Sequence, residues 1–121
     1  MELLKRYRVQ AAHHLPSAGP DDPEHRLHGH TYSVEIHVRG PVDPVAGWVM
    51  DYGDITAAVK PLVDQLDHHL LNDLDGLADP TAAAVARWIY DRLVTTLSLL
   101  HRVVVIESKT HRGAYPGEES S

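Results

Sequence analysis

His28-Gly29-His30-Thr31-Tyr32-Ser33-Val34-Glu35-Ile36-His37-Val38-Arg39 is the stretch on which the reading of this chain turns. Its side chains alternate with period two. His28, His30, Tyr32, Val34, Ile36 and Val38 share one parity, and Thr31, Ser33, Glu35, His37 and Arg39 share the other. The pattern predicts a half-buried strand whose apolar face begins with two histidines. Residues two apart on a strand lie about 6.5 Å from each other, close enough for both imidazoles to reach one cation. Gly29 between them has no side chain and permits a close approach of backbone and ligand.

Upstream, residues 3 to 13 alternate as well, with Tyr7, Val9, Ala11 and His13 on one face and Arg6, Arg8 and Gln10 on the other. The intervening stretch from Pro16 to Pro23 is turn-forming, so the two strands are expected to pair antiparallel. Both then place histidine at the end of the buried face. His13, His28 and His30 form a candidate metal site, since three imidazoles leave a fourth tetrahedral position open, the pattern of catalytic zinc. Iron, copper or nickel also accept imidazole. The competing reading is three core histidines hydrogen-bonded to a common partner. Glu24 lies between the strands, close to this cluster in sequence. His14 has the wrong parity, His25 and His111 fall in loops, and His37 and His101 are expected on a solvated face or strand start.

Downstream, Gly40-Pro41 and Pro44 end the strand, and Trp48-Val49-Met50 leads into a helix starting near Asp51 or Asp54. Its apolar positions are Ile55, Val59, Leu62, Val63 and Leu66; Pro61 should kink it, and Asp67-His68-His69 closes it. Thr81 is expected to cap a second helix with a stripe of Val85, Trp88, Ile89, Leu93, Leu97 and Leu100. A β-branched strand from Arg102 to Lys109, carrying Glu107, and a short strand around Tyr115 complete the order ββααββ. The class is α+β.

At 121 residues the chain makes one domain, 1–121, with a modest core that would gain from an oligomeric interface. A formal charge of -6 argues against a nucleic-acid or anionic-membrane partner. There is no cysteine, which removes disulfides, thiolate ligands and a thiol base. No signal core and no run of transmembrane length is visible, so the cytoplasm is the expected location.

Two further groups carry possible chemistry. Asp67-His68 reads either as a carboxylate–imidazole pair suited to proton transfer or as simple helix capping. Glu107 follows Val103 and Val105 on a strand face, and needs either a salt bridge or a ligand with N–H donors. His28-x-His30 before Glu35 resembles half of a cupin motif, but the helical middle of the chain and the opposite parity of Glu35 speak against it.

Taken together, Ala11-Ala12-His13-His14-Leu15-Pro16, Leu27-His28-Gly29-His30, Gly47-Trp48-Val49-Met50-Asp51, Leu66-Asp67-His68-His69-Leu70-Leu71-Asn72-Asp73, Pro80-Thr81 and Glu107-Ser108 resemble the 6-pyruvoyl-tetrahydropterin synthase family. The likeness is strongest to its bacterial branch, 6-carboxytetrahydropterin synthase of the queuosine (7-deazapurine) pathway. It implies a T-fold: an antiparallel four-stranded sheet with two helices on one face, assembled as a homo-oligomer, commonly a hexamer with sites between subunits. It also implies Zn2+ on His13, His28 and His30, a catalytic relay of Asp67 and His68, and substrate contacts from Glu107 and Thr81. The expected activity is that of a lyase on the side chain of 7,8-dihydroneopterin triphosphate or a related pterin.

One departure stands out. The family's basic cysteine, four residues before the first histidine of His-Gly-His, is Glu24 here. A carboxylate is intrinsically the weaker base by about four pK units. Glu24 is therefore a substitute base, a fourth metal ligand or a loop residue without a role. The first is compatible with glutamate-dependent cleavage to 6-hydroxymethyl-dihydropterin, and the last with a pterin-binding homologue lacking the standard activity. A milder departure is Ala82-Ala83, where the family tends to have a polar or acidic pair.

Overall fold

The computed structural model describes residues 1–47 and 49–117. Trp48, read above as part of the approach to the first helix, lies outside the described residues.

Alternation becomes strand where it was expected. β1 (Glu2–His13) pairs antiparallel with β2 (His28–Arg39) in one unbroken register from Glu2↔Arg39 to His13↔His28. β3 (Leu100–Ile106) pairs with the far edge of β2, with a register shift at His37/Val38, and β4 (Arg112–Tyr115) closes the order β1-β2-β3-β4. The inward parity of the sheet, Val9, Ala11, Tyr32, Val34, Ile36, Val38, Val103 and Val105, is buried.

Two helices cover that face. α1 (Tyr52–Leu66) buries Ile55, Val59 and Leu66, and its first turn is capped by Asp51, whose carboxylate accepts from Gly53 N at 2.7 Å. The helix runs unbroken through Pro61. α2 (Ala82–Leu93) buries Val85, Ala86, Trp88, Ile89 and Leu93, and the Thr81 hydroxyl accepts from Ala84 N at 3.2 Å. Gly113 of β4 lies directly against its first turn, and a β-carbon there would overlap the backbone of Ala82 and Ala83. This is the antiparallel α+β arrangement of a T-fold. No helix among the described residues is long and apolar enough to cross a membrane.

Three expectations are corrected. α2 ends at Leu93, so Leu97 lies in the following turn and Leu100 opens β3; both are buried, because the turn continues the apolar spacing by chance. β3 stops at Ile106, which puts Glu107 just beyond it, in a turn where Glu107 N donates to His111 O at 3.0 Å. His37 is not on a solvated face. It is buried on the side of the sheet away from the helices, its Nδ1 2.9 Å from Glu2 Oε1 and its Nε2 3.1 Å from Glu35 Oε1. Burial alone would raise the Glu35 carboxyl, but Arg6 and His37 outweigh it and hold the group below the usual carboxylate range.

Candidate metal centre

The β1–β2 register builds the site. His13 is the last residue of β1 and His28, its cross-strand partner, the first of β2; His30 follows two residues on, pointing to the same side. The three rings meet edge to face, with centroids 4.5 to 4.9 Å apart. The connecting loop returns through a short 3-10 turn, Pro23–His25, that carries Glu24. Two backbone bonds seat that residue: Glu24 N donates to Asp22 Oδ1 at 2.9 Å, and Leu15 N to Glu24 O at 2.9 Å. Glu24 Oε2 thereby stands 3.2 Å from His28 Nε2 and 3.9 Å from His13 Nε2. One ligand atom from each of His13, Glu24, His28 and His30 falls within 4.8 Å of all the others.

Backbone carbonyls set the tautomers. His13 Nδ1 lies 3.0 Å from Pro80 O and His28 Nδ1 lies 2.6 Å from Arg26 O; each must donate its N–H there, which leaves the lone pair on Nε2. The two Nε2 atoms are 2.9 Å apart, so with both rings neutral two lone pairs confront each other. His30 Nε2 is buried and, among the described residues, has no hydrogen-bond partner. The shared-partner reading of three core histidines fails on that atom. A four-coordinate cation with metal–nitrogen bonds of about 2.0–2.1 Å holds its ligand atoms about 3.4 Å apart, a spacing this donor set brackets. Burial holds the His13 imidazole below its usual range, against the pull of its bond to Pro80, and so favours the neutral form a metal requires.

Two groups border the cluster. The Tyr32 hydroxyl lies 3.0 Å from His13 Nδ1, and burial pushes that phenol far up. Glu107 Oε1 is buried and has no partner among the described residues. Burial raises the Glu107 carboxyl, with His30 opposing.

The chain matches the 6-pyruvoyl tetrahydropterin synthase family over residues 2–118. It belongs to that family. A 6-carboxy-5,6,7,8-tetrahydropterin synthase from Synechocystis is 35% identical over 119 residues, covering 93% of this chain and 91% of the relative. A dihydroneopterin monophosphate aldolase from Pyrococcus furiosus is 39% identical over 67 residues, 55% of either chain. The solved 6-pyruvoyl tetrahydropterin synthase of Caenorhabditis elegans superposes with a TM-score of 0.84 at 25% identity, covering 98% of this chain and 96% of that one. The present family member has no cysteine at all, and a glutamate stands in its histidine cluster.

Asp67 and His68 lie apart from that cluster. The segment after α1 runs along the free edge of β1, where Ala12 N donates to His69 O at 3.1 Å. His68 Nδ1 is 2.9 Å from Asp67 Oδ2, so the two do pair, while Asp67 Oδ1 accepts from Gln10 N at 2.8 Å. That backbone N–H, followed by His68, holds the Asp67 carboxyl below its usual range. His68 has φ 59° and its side chain is 73% exposed. Among the described residues neither side chain forms a hydrogen bond or ion pair with the metal cluster. His68 lines an open groove of about 600 Å³ along this edge, together with Gln10, Gly29, Thr31 and the cluster residue His30, and Asp67 adjoins that lining in sequence.

Thr81 is engaged as the α2 cap, and its neighbour Pro80 supplies the carbonyl that orients His13. Sequence reasoning overlooked the carbonyls of Pro80 and Arg26, the Tyr32 hydroxyl and Asn72. The Asn72 side chain accepts from His14 N at 3.0 Å and donates to His14 O at 2.8 Å and to Ala78 O at 3.2 Å. It clamps the residue that follows His13.

Proposed function

We propose that this family member is a zinc-dependent enzyme that cleaves the side chain of a 7,8-dihydroneopterin derivative, with Glu24 as the base. The observation that carries the reading is the Glu24 carboxylate inside the histidine cluster of a chain without cysteine. The aldolase from Pyrococcus furiosus, similar over part of this chain, supports carbon–carbon cleavage as the reaction type.

Glu24 takes the proton of the 2′ hydroxyl. The C1′–C2′ bond breaks, its electron pair moves into the pterin C6–N5 imine, and C2′ leaves as an aldehyde. C1′ then regains a proton, giving 6-hydroxymethyl-dihydropterin. Zinc on His13, His28 and His30 would supply Lewis acidity to the side-chain hydroxyls. Glu107 offers its unpartnered Oε1 to the N–H groups of the pyrimidine edge. Among the described residues Asp67 and His68 bond to each other and to Gln10 N and not to their own chain's cluster, which supports a site completed by a second copy.

A second reading is favoured by the likeness to the Synechocystis synthase across nearly the whole chain. In it Glu24 removes a carbon-bound proton and triphosphate is eliminated. Mass spectrometry of the zinc-loaded protein with 7,8-dihydroneopterin, its monophosphate and its triphosphate separates the two. Release of 6-hydroxymethyl-dihydropterin with a glycolaldehyde fragment supports the first, and free triphosphate the second. If none of the three compounds is consumed, both readings fall. Glu24→Gln should lower turnover by about a hundredfold or more while pterin binding survives.

A further inference from the structure

We infer that Glu24 is a displaceable fourth ligand, seated on the cation in the resting protein and pushed off it by the hydroxyls of the substrate side chain. The first half rests on geometry alone, and the second on the function proposed above.

The carboxylate meets the two imidazoles on their lone-pair side. His28 has committed its Nδ1–H to Arg26 O, so in the neutral ring that a metal requires it is the Nε2 lone pair that faces Glu24 Oε2 at 3.2 Å. The same holds for His13, whose N–H goes to Pro80 O and whose Nε2 is 3.9 Å from that oxygen. As neutral ligands the two imidazoles turn lone pairs, and no N–H, toward Glu24. A carboxylate and three ring nitrogens converging within 4.8 Å are reconciled by one cation that all four ligate.

The same residue is built to let go. Its backbone is fixed on both sides by the bonds to Asp22 and Leu15, so the loop need not move. Its side chain is 45% exposed, and among the described residues the carboxylate has no partner besides His13 and His28. Rotation about the side-chain bonds is sufficient to free it. The two roles also exclude each other in time: a carboxylate whose lone pair is held by a cation is a poor base, and release restores its basicity beside the group that displaced it. The site is closed at rest and opens only to a ligand able to replace an oxygen donor.

The test uses the full chain loaded with Co2+ and compares wild type, Glu24→Gln and Glu24→Ala, with circular dichroism confirming that each is folded. Wild type should show the intense visible absorption of a four-coordinate site. Both variants should show a changed spectrum and a Co2+ dissociation constant raised about tenfold or more, as ligand-sphere losses do. Saturating neopterin, an oxidised pterin with the same diol, should move the wild-type spectrum away from its resting form. Variants with the wild-type spectrum and affinity overturn the inference, and so does a wild-type spectrum that neopterin leaves unmoved. These readouts need no turnover, so spectral displacement in a protein that consumes no pterin would sink the proposed reaction and leave the ligand role standing.

Discussion

His13 and His28 stand directly opposite each other across the β1–β2 ladder, the last residue of one strand against the first of the next. Their Nε2 atoms are only 2.9 Å apart, so the two neutral rings repel each other there and a cation between them removes the repulsion. Zinc at a hundredfold excess over its dissociation constant should add about 2.7 kcal/mol of stability, a melting shift of roughly 10 °C in a domain this size. Scanning calorimetry of wild type and His28→Ala, each with and without zinc, checks this; the variant should lose the shift.

Asn72 holds both backbone groups of His14 and so fixes the exit of the chain from His13. Asn72→Ala should cost about 1–3 kcal/mol, because the His14 N–H and C=O lose their partner. Zinc affinity should fall with it. Denaturant melts paired with chelator competition would expose a loss of stability alone, which would remove Asn72 from the site's support.

Gly113→Ala should destabilise by about 1–3 kcal/mol, since the added methyl meets backbone atoms of Ala82 and Ala83 and not a side chain that can swing aside. Relief comes from movement of β4 or of the α2 start, and the latter drags Pro80 and its carbonyl off His13. Unchanged stability by chemical denaturation would contradict the close packing of β4 on α2.

Glu107 gives the pH dependence its sign. Burial raises its carboxyl, so it charges later than an exposed glutamate as pH rises. An ionised carboxylate is the better acceptor for pterin N–H donors, so neopterin binding should strengthen as pH climbs through that raised value and weaken below it. Glu107→Gln should flatten this limb and weaken binding without altering zinc affinity. Calorimetric titrations across the acid range decide the matter.

The histidine cluster was legible in the sequence because strand parity is a geometric constraint: two separate alternations both put histidine on the buried side, and a turn-forming loop joins those two ends, although the pairing of residues 13 and 28 is set by the register. Glu24 could be placed near the cluster but not aimed, since its direction depends on a loop closed by Leu15 and Asp22. The orienting carbonyls of Pro80 and Arg26 left no trace at all, because a backbone oxygen is the same at every residue. His37 was misread for a related reason. Alternation names the face a side chain points to, but it does not say that Glu2, Arg6 and Glu35 will close over that face. The Asp67–His68 pair was half visible, as adjacency suggested it but the positive φ that turns His68 outward did not.

That the imidazoles are held by carbonyls has an evolutionary consequence. Side-chain supports can be deleted by single substitutions, whereas the acceptors at Arg26 and Pro80 persist through any replacement that keeps the path of the chain. The geometry of the histidine cluster is thus insulated from drift at those two positions, while Glu24, on an exposed turn and among the described residues touching only His13 and His28 with its carboxylate, is free to change. A scaffold divided in this way can exchange the residue beside its histidines and keep the arrangement of the histidines themselves.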